Sequence, residues 1–146
     1  MAKKFKLQSV LNYRQLLENQ AQQLLAASMQ RKTELEEELQ RQQQELMRQD
    51  AELKERQRDG LTIAEIDLFE NGIQHCRRII ERLQQELNRL ERQIVGERDE
   101  LLAAARDRQV IEKLKEKQDA EYLQELNRKE REMLDEISLR NKGDLT

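Results

Sequence analysis

Along the second half of the chain, apolar residues return every seven positions. Ile66, Ile73, Ile80, Leu87, Ile94 and Leu101 form one column. Phe69, Cys76, Leu83, Leu90, Ala104 and Ile111 form a second, three positions on, with Glu97 as its one charged member. Alternating steps of three and four put both columns on one helix face, the a and d positions of a coiled coil. A seven-residue repeat falls slightly short of two α-helical turns, so such a seam winds left-handed. Glu97, with Gly96 beside it, marks a soft spot, because a glycine inside a helix costs about 1 kcal/mol against alanine.

The first half is also helical in pattern but less regular. Val10, Leu17 and Leu24 keep a seven-residue column, and a second phase begins at Leu35 and continues through Leu39, Gln42, Leu46, Gln49 and Leu53. Glutamines at seam positions weaken packing and help to fix register. Glu37–Arg41, Glu52–Arg56, Glu125–Lys129 and Glu136–Arg140 are i,i+4 pairs in the favourable order. Each contributes only about 0.2–0.5 kcal/mol, so they support helix without deciding the fold.

Two places offer a turn. Asn71–Gly72 is a strong turn dipeptide near the midpoint, but the heptad passes from Ile66 to Ile80 without a slip, which a turn there would destroy. At Gly60 the signals agree. Glycine takes the left-handed position that ends a helix, and Thr62 stands three residues before Glu65 at the capping-box spacing. The expectation is an all-α chain, one coiled-coil domain over 1–146, with helix one at about 4–59, a turn at about 60–62 and helix two at about 63–141. The two helices form an antiparallel hairpin with unequal arms, bringing Leu53 near Phe69, Leu46 near Cys76, Leu17 near Ala104 and Leu7 near Leu114. Beyond about Leu114 the second helix is expected to run past the end of helix one, and it carries Tyr122, Leu123, Leu126, Met133, Leu134 and Ile137. This helical overhang is either a docking segment or a solvated helix end.

Composition narrows the class. Of 146 residues, 39% are charged and 3% aromatic, with no proline and four glycines, the usage of long helices rather than of a compact globule. The net charge of −3 argues against a general nucleic-acid binder, which needs a basic surplus. The start MAKKFKLQSV has no apolar run of signal-peptide type, and the longest apolar run, Leu101–Ala105, is far short of a membrane span. The single cysteine, Cys76, has no partner for an internal disulfide and is compatible with a reducing cytosol.

Candidate chemistry is sparse. Gly60, Gly72, Gly96 and Gly143 are isolated, so there is no phosphate-binding loop, and adjacent His75 and Cys76 point about 100° apart on a helix, the wrong arrangement for one metal ion. With no concave pocket expected of two helices, the chain reads as no enzyme, without cofactor or metal. Ile79 flanks the seam and joins Phe69, Cys76 and Leu83 in an apolar stripe near the turn. Either helix one covers this stripe or a partner does. A structural coiled-coil spacer or adaptor, dimerising in parallel, is the alternative to a hairpin.

The two ends resemble a known family. Phe5–Ala26, FKLQSVLNYRQLLENQAQQLLA, is similar to the start of FliJ, the small coiled-coil protein of bacterial flagellar export, and Glu112–Arg140, with its Leu-Asp-Glu-Ile run at Leu134–Ile137, is similar to its C-terminal part. The middle, about 31–107, matches only as coiled coil with a glycine near position 60. The resemblance implies a non-enzymatic component of the flagellar type III export apparatus, similar in form to the coiled coil of the ATP synthase γ subunit. Its ends would enter the hexameric export ATPase FliI and stimulate it. Its rod would reach the cytoplasmic domain of the export gate FlhA and bind export chaperones. The location implied is cytoplasmic, peripherally associated with the inner face of the cell membrane at the flagellar base, with no integral membrane segment. Carried over by position, the ATPase-facing residues would be Phe5, Leu7, Val10, Leu11, Leu17, Leu114, Tyr122, Leu126 and Leu134. The gate-facing ones would be Gly72, Cys76, Ile79 and Leu83. Gly72 departs from the family pattern, which has a large apolar side chain there, and nearby Phe69 is the available substitute.

Overall fold

The computed structural model describes residues 6–144. Two helices, α1 (Gln8–Asp59) and α2 (Ile63–Asp144), pack against each other as a hairpin, and no strand occurs among the described residues. Lys6 and Leu7 form a turn ahead of α1, so it starts a few residues later than its sequence suggests. The Leu7 carbonyl nevertheless accepts the Leu11 N–H at 2.9 Å.

Three residues reverse the chain. Gly60 has φ of 94°, a left-handed conformation that side chains with a Cβ resist, and it stops α1. Thr62 then starts α2. Its hydroxyl accepts the Glu65 N–H at 3.2 Å and its carbonyl accepts the Ile66 N–H at 3.1 Å. Charges at the junction suit the helix dipoles, with Arg56 and Arg58 in the last turn of α1 and Glu65 in the first turn of α2. Asn71 and Gly72 lie within uninterrupted helix.

The chain divides into two compact units. One comprises residues 21–100 and contains the turn. Its seam buries Leu35 from α1 against Ile73, Cys76, Leu83 and Ile94 from α2, with Leu25, Leu39, Leu46, Leu53, Ile66, Ile80, Leu87 and Leu90 half-buried. Among the described residues no large side chain is completely buried, the expected result for a core only one layer thick. At Gly72 a Cβ would stand 3.0 Å from Gln49 Oε1, so the missing side chain leaves room for that amide. Gln49 Nε2 donates to Glu45 Oε1 at 3.0 Å, while its Oε1 is buried without a hydrogen-bond partner.

The second unit comprises residues 1–20 and 101–146. Within it Leu11 is buried, Arg14 pairs with Asp107 at 3.3 Å, and Arg108 bridges Glu18 and Glu112, the latter at 2.7 Å. Arg108 and Glu18 are both largely shielded, and the ion pair lets two seam positions be charged.

The burial pattern corrects the expected register of α1. A single series of three- and four-residue steps, Leu11, Arg14, Glu18, Ala21, Leu25, Ser28, Lys32, Leu35, Leu39, Gln42, Leu46, Gln49 and Leu53, is buried or half-buried throughout, with Gln8, Leu17, Glu38, Glu45, Asp50 and Glu52 half-buried beside it. Val10 and Leu24 lie outside it and are exposed, while Leu17 is half-buried on its flank. No change of phase occurs at Leu35. The apolar column at 10, 17 and 24 is the more regular in pattern because the true seam beside it carries arginine, glutamate, serine and lysine. One expected ion pair also changes partner. Arg41 hydrogen-bonds Glu38, one position along from Glu37, whereas Glu52–Arg56 and Glu125–Lys129 form at 3.5 and 3.8 Å.

Candidate functional site

Two surfaces carry the candidate residues. The first is the far part of α2. Every residue from 123 to 143 is exposed, including Leu123, Leu126, Met133, Leu134, Ile137 and Leu139. The hairpin seam, extended in steps of three and four, would pass through Tyr122, Glu125, Lys129, Glu132 and Glu136. The apolar residues fall one position later, at Leu123, Leu126, Met133 and Ile137, with Glu130 as the gap. One residue is about 100° of helix rotation. The apolar stripe therefore leaves the line of the seam and faces where α1 does not run. Four apolar residues along one helix line, broken only at Glu130, suit a partner groove better than they suit water.

The structure treats the residues carried over for a ring contact unequally. Leu7, Val10, Leu114, Leu126 and Leu134 are exposed, while Leu17 and Tyr122 are half-buried. Leu11 is 3% exposed and belongs to the seam. Phe5 lies outside the described residues.

The second surface is the start of α2. Cys76 and Leu83 are buried against α1, so they hold the hairpin together. Phe69 is half-buried under the Arg56 guanidinium, which sits 5.5 Å from the ring centroid, a cation–π contact across the helices. Leu68, Phe69 and Gly72 line a shallow groove of about 340 Å³ with Arg48, Gln49 and Glu52 of α1. Ile79 is half-buried at the seam's edge, and Leu68 and Ile63 are well exposed. What this surface offers a partner is thus Leu68, Phe69 and Ile79, with the seam residues behind them.

Electrostatics on α1 reinforce its helix beside this groove. Arg48 donates from Nε to Glu45 at 3.0 Å and from Nη1 to Glu52 at 3.2 Å. The Arg48 hydrogen bonds, aided by one from Gln49, pull the Glu45 carboxyl down to about 2. In the second unit the Arg108 guanidinium is pushed further up, chiefly by its hydrogen bonds to Glu18 and then Glu112.

The profile of one protein family, Flagellar FliJ protein, matches residues 3–143, nearly the whole chain. The chain belongs to the FliJ family. No curated protein and no solved structure matches it. Membership makes this FliJ protein a component of the flagellar protein-export apparatus. The match also covers the middle of the molecule, where the residues themselves resemble only generic coiled coil.

Among the described residues of this FliJ chain no group of three His, Cys, Asp or Glu could hold a metal, and no helix is long and apolar enough to cross a membrane. His75 is exposed and Cys76 buried, so the two side chains occupy different faces. The residues that sequence reasoning missed are the polar seam partners of α1, above all Ser28. Its signal was present: it stands on the seven-residue line through Leu35, opposite Glu97, the charged member of the α2 column through Leu83 and Leu90.

Proposed function

We propose that this FliJ protein serves as the central stalk of the flagellar export ATPase. In this reading its paired ends, and above all the stripe Leu123, Leu126, Met133 and Ile137, enter the hexameric ATPase FliI and stimulate assembly and hydrolysis. It hydrolyses nothing itself. The observation that carries the reading is the exposed apolar stripe, rotated out of line with the seam, on a helix of a FliJ-family chain. Leu7, Val10, Leu17, Leu114, Tyr122 and Leu134 add contacts from the same unit, with Leu11 behind them as support.

The early second helix would meet the cytoplasmic domain of the export gate FlhA. Burial of Cys76 and Leu83 leaves Phe69 and Ile79, with Gly72 between, as the side of the strip that a gate could touch. Substrate chaperones would join on the same rod, and the protein would work in the cytoplasm against the inner face of the membrane at the flagellar base.

Adding the chain to its cognate ATPase tests the stalk role. Hydrolysis and hexamer formation should both rise, and neither rising, with no direct binding, would remove it. Phe69→Ala/Ile79→Ala should weaken gate binding while leaving ATPase stimulation intact. An unchanged gate affinity would remove the gate assignment alone.

A further inference from the structure

Ser28 and Glu97 are polar residues buried inside the seam, each 6% exposed. Glu97 Oε1 accepts hydrogen bonds from Ser28 Oγ at 3.0 Å and from Gln93 Nε2 at 2.9 Å. Glu97 Oε2 is buried and has no partner. On α1 the seam neighbours of Ser28 are Leu25 and Lys32, with Leu35 beyond, and on α2 Leu90 and Ile94 precede Glu97. A leucine at 97 would continue this seam without leaving a carboxylate oxygen unsatisfied, so the glutamate costs stability where it sits.

What it contributes is choice of partner. Apolar columns at a and d positions serve equally well for a chain folded on itself and for two chains side by side. In a parallel, in-register pair each seam residue meets its own copy. Glu97 would then face a second Glu97 in the seam, while Ser28, 69 positions away in sequence, would face only another Ser28. Lys32 repeats the logic. In the hairpin its ammonium lies 3.9 Å from Glu91 of α2, and in a parallel pair it would face a second Lys32. Like charges held in a seam disfavour that pairing, the use of seam polar residues best attested in coiled coils.

We infer that the Ser28–Glu97 pair commits this chain to the one-chain hairpin and against a parallel dimer with a second copy. The test is the full-length double variant Ser28→Leu/Glu97→Leu, compared with the native chain by sedimentation equilibrium. Orientation is read from a single nitroxide at Gln22→Cys in a Cys76→Ala background, because only a parallel pair brings two copies of position 22 close. The double variant should dimerise at least about tenfold more tightly than the native chain, with a short label-to-label distance. No gain in dimerisation, or a gain with the labels far apart, would overturn the inference, as would a native chain that is already a parallel dimer. Glu97→Gln guards against a double variant that aggregates. It keeps the shape and a hydrogen bond to Ser28 but removes the charge, so its dimer affinity should also rise, and no rise would overturn the inference by itself.

Discussion

Gly60 and Gly96 allow the same substitution to be made in opposite backbone settings. A Cβ built at either position meets no atom within 4 Å, so neither alanine variant introduces a clash. Only the backbone term remains. At Gly60 φ is 94°, and an L-residue held in left-handed conformation costs about 1–2 kcal/mol. At Gly96, inside α2, alanine restores helix propensity worth about 1 kcal/mol. Gly60→Ala should therefore lower stability and Gly96→Ala should raise it, a separation of about 2–3 kcal/mol between two chains of identical composition. Urea unfolding followed by circular dichroism reads both midpoints, and unchanged slopes would show that each midpoint reports stability. Gly60→Ala equal to or more stable than the native chain would refute the reasoning, because the helix would then not need a left-handed residue at 60 to end.

Other perturbations test the seam, the surface charges and the stripe. Ile94→Ala should cost about 2–3 kcal/mol in urea unfolding, at the low end for a core methylene deletion because the seam is thin, whereas exposed Leu102→Ala should stay within about 0.5 kcal/mol. Glu45 has its carboxyl pulled from 4.5 to about 2 in the folded chain, so its contribution is complete above pH 4.5 and is lost as pH falls toward 2. Thermal melts across that window should fall less steeply for Glu45→Gln than for the native chain. Leu126→Asp/Met133→Asp should reduce ATPase stimulation at least about tenfold, as loss of anchor residues does, while the melting temperature stays within a degree or so because both side chains are already exposed.

Much of this architecture is legible in the residues. The α2 seam from Ile66 to Ile94 stands out because leucine, isoleucine, phenylalanine and cysteine fill it without exception, and periodicity needs nothing else. The turn was legible because Gly60, Thr62 and Glu65 each do something physical there: stop, cap and charge. The register of α1 was not. Arg14, Glu18, Ser28 and Lys32 hold seam positions that a search for apolar periodicity skips, and Val10, Leu17 and Leu24 offer a cleaner column one position away. Only the partner helix reveals why those polar residues belong: Asp107, Arg108, Glu97 and Glu91 receive them. The candidate docking strip near the turn was legible as apolar, but its division into covered residues, Cys76 and Leu83, and accessible ones, Phe69 and Ile79, depends on where α1 lies. The exposed stripe beyond the hairpin could be read directly, since the one-residue shift is in the numbering itself.

Hydrogen exchange of the full-length chain, alone and with the cognate hexameric ATPase, tests the central claim most directly. A helix exposed on all sides exchanges quickly when free, because its backbone opens without losing tertiary packing. The account predicts strong new protection across residues 123–143 when the ATPase binds, with little change in the seam around Leu35 and Ile94. Binding that left 123–143 unprotected, or protected only the segment around Phe69 and Ile79, would contradict it.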